Sequence, residues 1–143
     1  MTTRDYVETD RLLMLLDKGI STVFGTPQVT ERPNPSEAIE ETELSTEDKT
    51  LSGRLMRINH AGEVAAQGLY QGQALTAKLA DVREKMERAA MEENDHLAWC
   101  RKRAHEMGAH TSYLDPLWYT GSAAIGAIAG IIGDKWSLGF VGE

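Results

Sequence analysis

Residues 86–100 read Met-Glu-Arg-Ala-Ala-Met-Glu-Glu-Asn-Asp-His-Leu-Ala-Trp-Cys, and their spacing predicts a helix with a carboxylate on its apolar face. Met86, Ala90, Leu97 and Cys100 advance by three or four along one side. Glu93 falls on that same side, where a core is expected. A buried carboxylate is costly unless it is paired, hydrogen-bonded or bound to a metal. His96 can reach the same point, because residues three apart are neighbours on a helix. A carboxylate beside an imidazole is an oxygen/nitrogen donor pair suited to iron, manganese or zinc. Glu-x-x-His alone is a weak signal: with 14 Glu and 4 His in 143 residues, chance supplies roughly 0.4 such pairs. Its place on the inward stripe gives it weight.

This helix is expected over Asp81–Met107, with Gly108 as its stop signal. Its first turns hold Glu84, Lys85, Glu87 and Arg88, with Glu84 and Arg88 at ion-pair spacing. An earlier helix is expected from Ser52 to Lys78, free of proline, with an inward stripe of Met56, Asn59 or His60, Glu63, Gln67 and Tyr70. A short connection folds the two back as an antiparallel hairpin, which can bring Glu63 opposite Glu93 and His96. One Glu facing Glu-x-x-His is half the ligand pattern of ferritin-like dimetal carboxylate proteins. No stretch alternates in the manner of a strand. The fold class is all-α.

The flanks have a different character. Residues 1–50 carry 11 acidic and 5 basic side chains within a formal net charge of −7, which argues against a nucleic-acid partner. Asp10–Phe24 is a short amphipathic segment with Leu12, Leu13, Leu16, Ile20, Val23 and Phe24 near helical spacing and Thr9 or Asp10 as N-cap. It either docks on a core or touches a membrane. Residues 25–50, with Pro27, Pro33, Pro35 and a run of glutamates, form an acidic, solvated linker. The lone Cys100 excludes an intrachain disulfide and a multi-cysteine zinc site, and fits an intracellular chain. At the core-facing stripe it is a small buried hydrophobe.

Pro116–Gly133 is an uncharged run of 18 residues with a proline and four glycines. That composition disfavours a full span, which needs roughly 20 predominantly apolar residues. The remaining readings are a buried helix packed closely through its small residues, or a helix in the membrane surface or lining a greasy channel. Arg101, Lys102 and Arg103 either attract anionic lipid or are solvated beside a helix end.

Arg57-Ile58-Asn59-His60-Ala61-Gly62-Glu63-Val64, with Ala66, Tyr70 and Gly72-Gln73, resembles the signature helix of the demethoxyubiquinone hydroxylases. Glu92-Glu93-Asn94-Asp95-His96-Leu97 is similar to that family's second ligand helix, and Leu114-Asp115-Pro116-Leu117-Trp118 to its middle. The likeness covers roughly residues 51–143, which the resemblance makes the N-terminal half of a ferritin-like di-iron domain. It implies a monooxygenase of ubiquinone biosynthesis that hydroxylates the ring of a polyprenylated demethoxy-quinone with O2 and reducing equivalents. It also implies two iron ions, with Glu63, Glu93 and His96 as ligands and Glu93 bridging. His60 is then a group orienting the site, or plain packing, ahead of a rival ligand.

The resemblance further implies another Glu and a second Glu-x-x-His on later helices. The expectation is therefore a truncated chain with three of six ligands, containing the first hairpin and the start of a third helix. Glu143 is not nominated, since the motif places the next carboxylate about two residues later. Two copies would together offer six ligands, so a homo-oligomer is another way to fill the site. The polyprenyl quinone places the chain on a membrane surface, as a peripheral protein on the cytoplasmic face of the cell membrane. Two other classes remain: a ferritin-like iron-binding or ferroxidase protein without organic substrate, and a non-enzymatic membrane-associated helical protein.

Overall fold

The structure, a computed structural model, describes residues 7–27 and 29–140; Glu143 lies outside them. Among the described residues every element is helical: α1 Glu8–Phe24, a single 3-10 turn at Pro35–Ala38, α2 Thr46–Thr76, α3 Ala80–Glu106, α4 Asp115–Ile132 and α5 Asp134–Phe140. The all-α expectation holds, and the architecture is consistent with a ferritin-like helical bundle.

Helix α2 begins six residues earlier than expected. The Ser45 side chain accepts from the Asp48 N–H at 3.1 Å and its hydroxyl donates to the Asp48 carboxylate at 2.7 Å. Glu47 and Asp48, read from sequence as linker, are thus a capped first turn with its charges on the favourable end. Likewise α1 starts at Glu8: Val7 is its N-cap, and the Asp10 carboxylate accepts from the Val7 N–H. Gly108 does end α3. It adopts φ +73°, while the Ala109 N–H reaches back to the Ala104 carbonyl at 2.8 Å, the left-handed closure that glycine favours.

Helices α2 and α3 pair antiparallel, so that Gly53 faces Met107 and Ala109 while the Gln67 amide donates to the Ala90 carbonyl at 2.6 Å. The Glu84–Arg88 pair expected on α3 is not formed; Arg88 instead reaches Glu92 and Glu31.

The apolar run is a complete helix, which extends the expectation of a third helix merely begun. It packs on α2 in the largest helix–helix interface, running parallel to it, with Gly68 against Tyr119 and Ala123 and Gly72 against Ala123 and Ala127. Gly126 returns the contact against Leu69 and Gln73. Backbone meets backbone here, and a Cβ on any of these glycines would collide with main-chain atoms. Close packing through small residues is therefore one part of the apolar segment's role. No helix of the described residues is long and apolar enough to cross a membrane.

The core itself is small. Val64, Leu97 and Tyr119 form its centre, with Val23 and Ala123 against them. A buried polar chain crosses it: the Tyr119 hydroxyl donates to Gln71 at 2.5 Å, Gln71 to Gln67 at 2.7 Å, and Gln67 to α3. Short α5 is tied down by Gln73, whose amide donates to the Ser137 carbonyl at 2.8 Å. Asp134 accepts from the Lys78 and Leu79 N–H groups at 3.0 and 2.8 Å, closing the α2–α3 turn.

Two expectations for the flanks change. Helix α1 docks through Gly19, buried under the Tyr119 ring, and leaves Leu12, Leu13, Leu16, Ile20 and Phe24 exposed; only Val23 of the expected face packs on the core. The acidic linker is not simply solvated. Its Glu31, Glu37 and Glu41 pair with Arg88, Lys102 and Arg103 of α3, so residues 30–41 form a strap along that helix. The Arg101 guanidinium donates to the Gly25 carbonyl. The three cations considered for lipid attraction are thus engaged within the chain.

Candidate metal centre

The antiparallel hairpin aims three side chains at one point. Glu63 comes from the middle of α2, and Glu93 and His96 from successive turns of α3. One donor atom from each lies within 4.8 Å of the others. His96 Nδ1 is 2.9 Å from Glu93 Oε2 and 4.0 Å from Glu63 Oε2. The flanking Val64 and Leu97, at 0% and 1% exposure, wedge the two helices together and fix the depth at which the donors meet. The side chains themselves remain 24%, 22% and 37% exposed for Glu63, Glu93 and His96, so the cluster is open on one side.

Burial, then the hydrogen bond and negative charge of Glu93, push the Glu63 carboxyl up to about 8. Two carboxylates are so crowded that one keeps its proton at neutral pH. A cation at the cluster would take the place of that proton. Two carboxylate oxygens and an imidazole are also donors that iron accepts. The residues present fit such an ion.

The surroundings sort the other sequence candidates. The Trp99 ring lies 5.2 Å from the His96 ring, tilted by 49°, and limits where the imidazole can turn. Cys100 is partly buried outside the donor cluster, its thiol pushed up to about 11 by burial and by the Glu63 charge; it is a packing residue. Asn59 is exposed. His60 is buried, but away from the cluster. Its Nδ1 lies 3.3 Å from Asp115 Oδ2, at the start of α4. Burial, with Arg101 and His105 adding to it, lowers His60 to about 4. Burial likewise raises Asp115, against the opposing charge of Arg101. His60 is therefore not a rival donor.

Sequence reasoning passed over Asp95 altogether. This carboxylate is fully buried beneath the strap. It accepts from the Thr30 N–H at 2.6 Å, the Thr30 hydroxyl at 2.9 Å, the Glu31 N–H at 3.1 Å and the Arg32 N–H at 2.9 Å. Burial alone would push its carboxyl up, but these hydrogen bonds outweigh it and hold it below the ordinary range. Its place inside Glu93-Asn94-Asp95-His96 was the only signal available.

Helices paired so that carboxylates and an imidazole converge between them define a class, the helical-bundle proteins with a metal centre held between facing helices. The comparisons with known proteins narrow it. The profile of a family described as ubiquinone biosynthesis protein COQ7 matches residues 50–143, and the chain belongs to that family. It is 59% identical over 143 residues, all of its length, to the 3-demethoxyubiquinol 3-hydroxylase of Nitrosococcus oceani, of which it covers 67%. It is 52% identical over 140 residues to the protein of that name from Pseudomonas syringae pv. syringae, covering 98% of this chain and 65% of the relative. The corresponding figures for Nitrosomonas eutropha are 50% over 137 residues, 96% and 65%. The chain thus spans about two thirds of the length of these relatives. No solved structure gives a significant match.

Proposed function

We propose that this chain supplies Glu63, Glu93 and His96 to the di-iron centre of a 3-demethoxyubiquinol 3-hydroxylase, a monooxygenase acting on a polyprenylated demethoxyubiquinol in ubiquinone biosynthesis. The observation that carries the reading is the convergence of three donors within 4.8 Å on one hairpin, in a chain whose relatives bear that name. When bound, the iron pair would supply O2 activation, one oxygen atom entering the ring and the other leaving as water with two electrons and two protons. The chain's own residues prepare for this. Glu63 holds a proton that metal loading displaces. Glu93 holds the His96 ring through Nδ1 and Trp99 limits its swing. Val64 and Leu97 keep water from the inner side of the site.

A polyprenyl tail is insoluble in water, so the reading places the chain at a bilayer surface, as a peripheral protein on the cytoplasmic face. Two exposed apolar faces support it. Leu12, Leu13, Leu16 and Ile20 of α1 lie open, as do Leu117, Trp118, Ile125, Ile128 and Ile132 of α4. A ferritin-like storage or ferroxidase role gives such faces no use. The test is anaerobic loading with Fe(II), then addition of O2, a reductant and a 3-demethoxyubiquinol in lipid vesicles. Retained iron and vesicle binding are expected, with hydroxylated product where a second copy completes the ligand set. Failure of the wild-type chain to retain iron, or full iron retention in Glu63→Gln, would refute the assignment.

A further inference from the structure

Asp95 lies two residues from Glu93, about 200° around the helix from it at 3.6 residues per turn. It is therefore on the side of α3 turned away from α2, where a carboxylate would ordinarily meet solvent. The strap alone buries it. Three consecutive backbone N–H groups, those of Thr30, Glu31 and Arg32, and the Thr30 hydroxyl close on its two oxygens. Toward the N-terminal end of α3, Glu31 pairs with Arg88 at 2.7 Å and Arg32 with Glu92 at 3.4 Å. Helix α3 is thus gripped from outside at the very turn that carries Glu93 and His96. From inside its buried apolar contacts are Val82, Met86, Ala90, Leu97 and Ala104. Apolar contact is non-directional, so this seam resists separation of the helices better than it resists rolling of α3 about its axis. Donor atoms stand roughly 6 Å from a helix axis, so a roll of about 10° moves them by roughly 1 Å. Metal sites need their ligands held to about 0.5 Å.

We propose that Asp95 and the Thr30–Arg32 turn form a brace that fixes the roll of α3, making Asp95 a positioning residue for the Glu93/His96 donor pair. The inference deepens the metal reading above and rests on it. The brace acts without touching the metal. It gives the acidic N-terminal third a task at the site, which its composition does not suggest.

The test compares the full chain with Asp95→Asn, which puts an N–H2 donor against backbone donors, and Thr30→Pro, which removes two of the four hydrogen bonds and leaves α3 unaltered. The probe is Co(II), added anaerobically and followed by its visible bands. Both variants are expected to keep their far-UV helicity, to become cleavable by protease within the strap, and to bind Co(II) about 10- to 100-fold more weakly with shifted bands. Lys102→Gln, which cuts the ion pair to Glu37 and spares the turn, should leave affinity unchanged. If Asp95→Asn fails to fold, Thr30→Pro decides. A strap that is released while Co(II) affinity and bands stay as in wild type overturns the brace. Wild-type chain that takes up no Co(II) overturns the metal reading instead. The brace is then judged in metal-free protein from the His96 imidazole NMR signals, and unchanged signals in Thr30→Pro overturn it.

Discussion

Gly72→Ala and Gly62→Ala should move stability in opposite directions, although the two glycines share one helix. Both substitutions gain about 1 kcal/mol of intrinsic helix propensity. At Gly62 nothing lies within 4 Å of the added methyl, so the gain is kept. At Gly72 the new Cβ runs into the Ala123 carbonyl oxygen and stands 2.9 Å from the Ala127 nitrogen. Both are backbone atoms of α4 and cannot swing aside, so the helices must part by about 1 Å in an interior that packs without slack. Parting also loosens Gly68 and Gly126, and stretches the 2.9 Å hydrogen bond from the Thr76 hydroxyl to the Ala127 carbonyl. Backbone collision belongs at the upper end of overpacking costs, about 3 kcal/mol. The net expectation is about 2 kcal/mol lost for Gly72→Ala and about 1 kcal/mol gained for Gly62→Ala. For a domain of this size that is roughly 4–8 °C down and roughly 2–4 °C up in Tm, read by thermal unfolding under circular dichroism. A Gly72→Ala chain at least as stable as wild type would refute the direct backbone contact of α2 with α4.

Three further outcomes follow from the site. Glu93→Gln should abolish iron retention and, by removing the neighbour that crowds Glu63, leave the metal-free Tm unchanged or higher; metal analysis and a melting curve check both halves. Cys100, raised from 9.0 to about 11, should react with iodoacetamide about 100-fold more slowly in the folded chain than in denaturant at pH 8, and equal rates would contradict its burial. His60 stays neutral down to about pH 4 in the folded chain, whereas the unfolded chain protonates it near 6.5. The unfolded state then binds more protons between those values, so this contribution is complete above about 6.5 and declines by up to about 3 kcal/mol as pH falls to about 4. Tm measured against pH should fall more steeply over that window in wild type than in His60→Gln, and parallel curves would count against it.

What the sequence reveals is what is local. The donor trio was readable because Glu93 and His96 are one turn apart and because Glu63 sits on the facing stripe of a short-looped hairpin, so helical periodicity does the whole calculation. The same holds for the end of α3 at Gly108 and for the all-helical class. Glycines were less decisive. Gly62, Gly68 and Gly72 are alike in sequence, yet only the latter two meet α4; the difference depends on which face a partner of parallel direction occupies. Periodicity found the apolar face of α1 correctly and misled about its destination, since Gly19, with no side chain to mark it, is the residue that docks.

Asp95 and the acidic strap illustrate the stronger limit. Within Glu92-Glu93-Asn94-Asp95-His96 the three acids look equivalent, and a helical wheel turns Asp95 outward, toward water. It is instead the most completely hydrogen-bonded carboxylate of the group, because partners 65 residues earlier in the chain wrap around it. Those partners are mostly backbone N–H groups, which every residue but proline carries and no side-chain pattern can advertise. The charge pattern did hold a clue. An acidic N-terminal third preceding a helix with Arg88, Lys102 and Arg103 on its outer side is complementary to it, and Glu31, Glu37 and Glu41 pair with those three cations. Exposed pairs of this kind contribute little individually. Their use is in register: they lay the strap along α3 so that its one strongly bonded turn, Thr30–Arg32, arrives at Asp95.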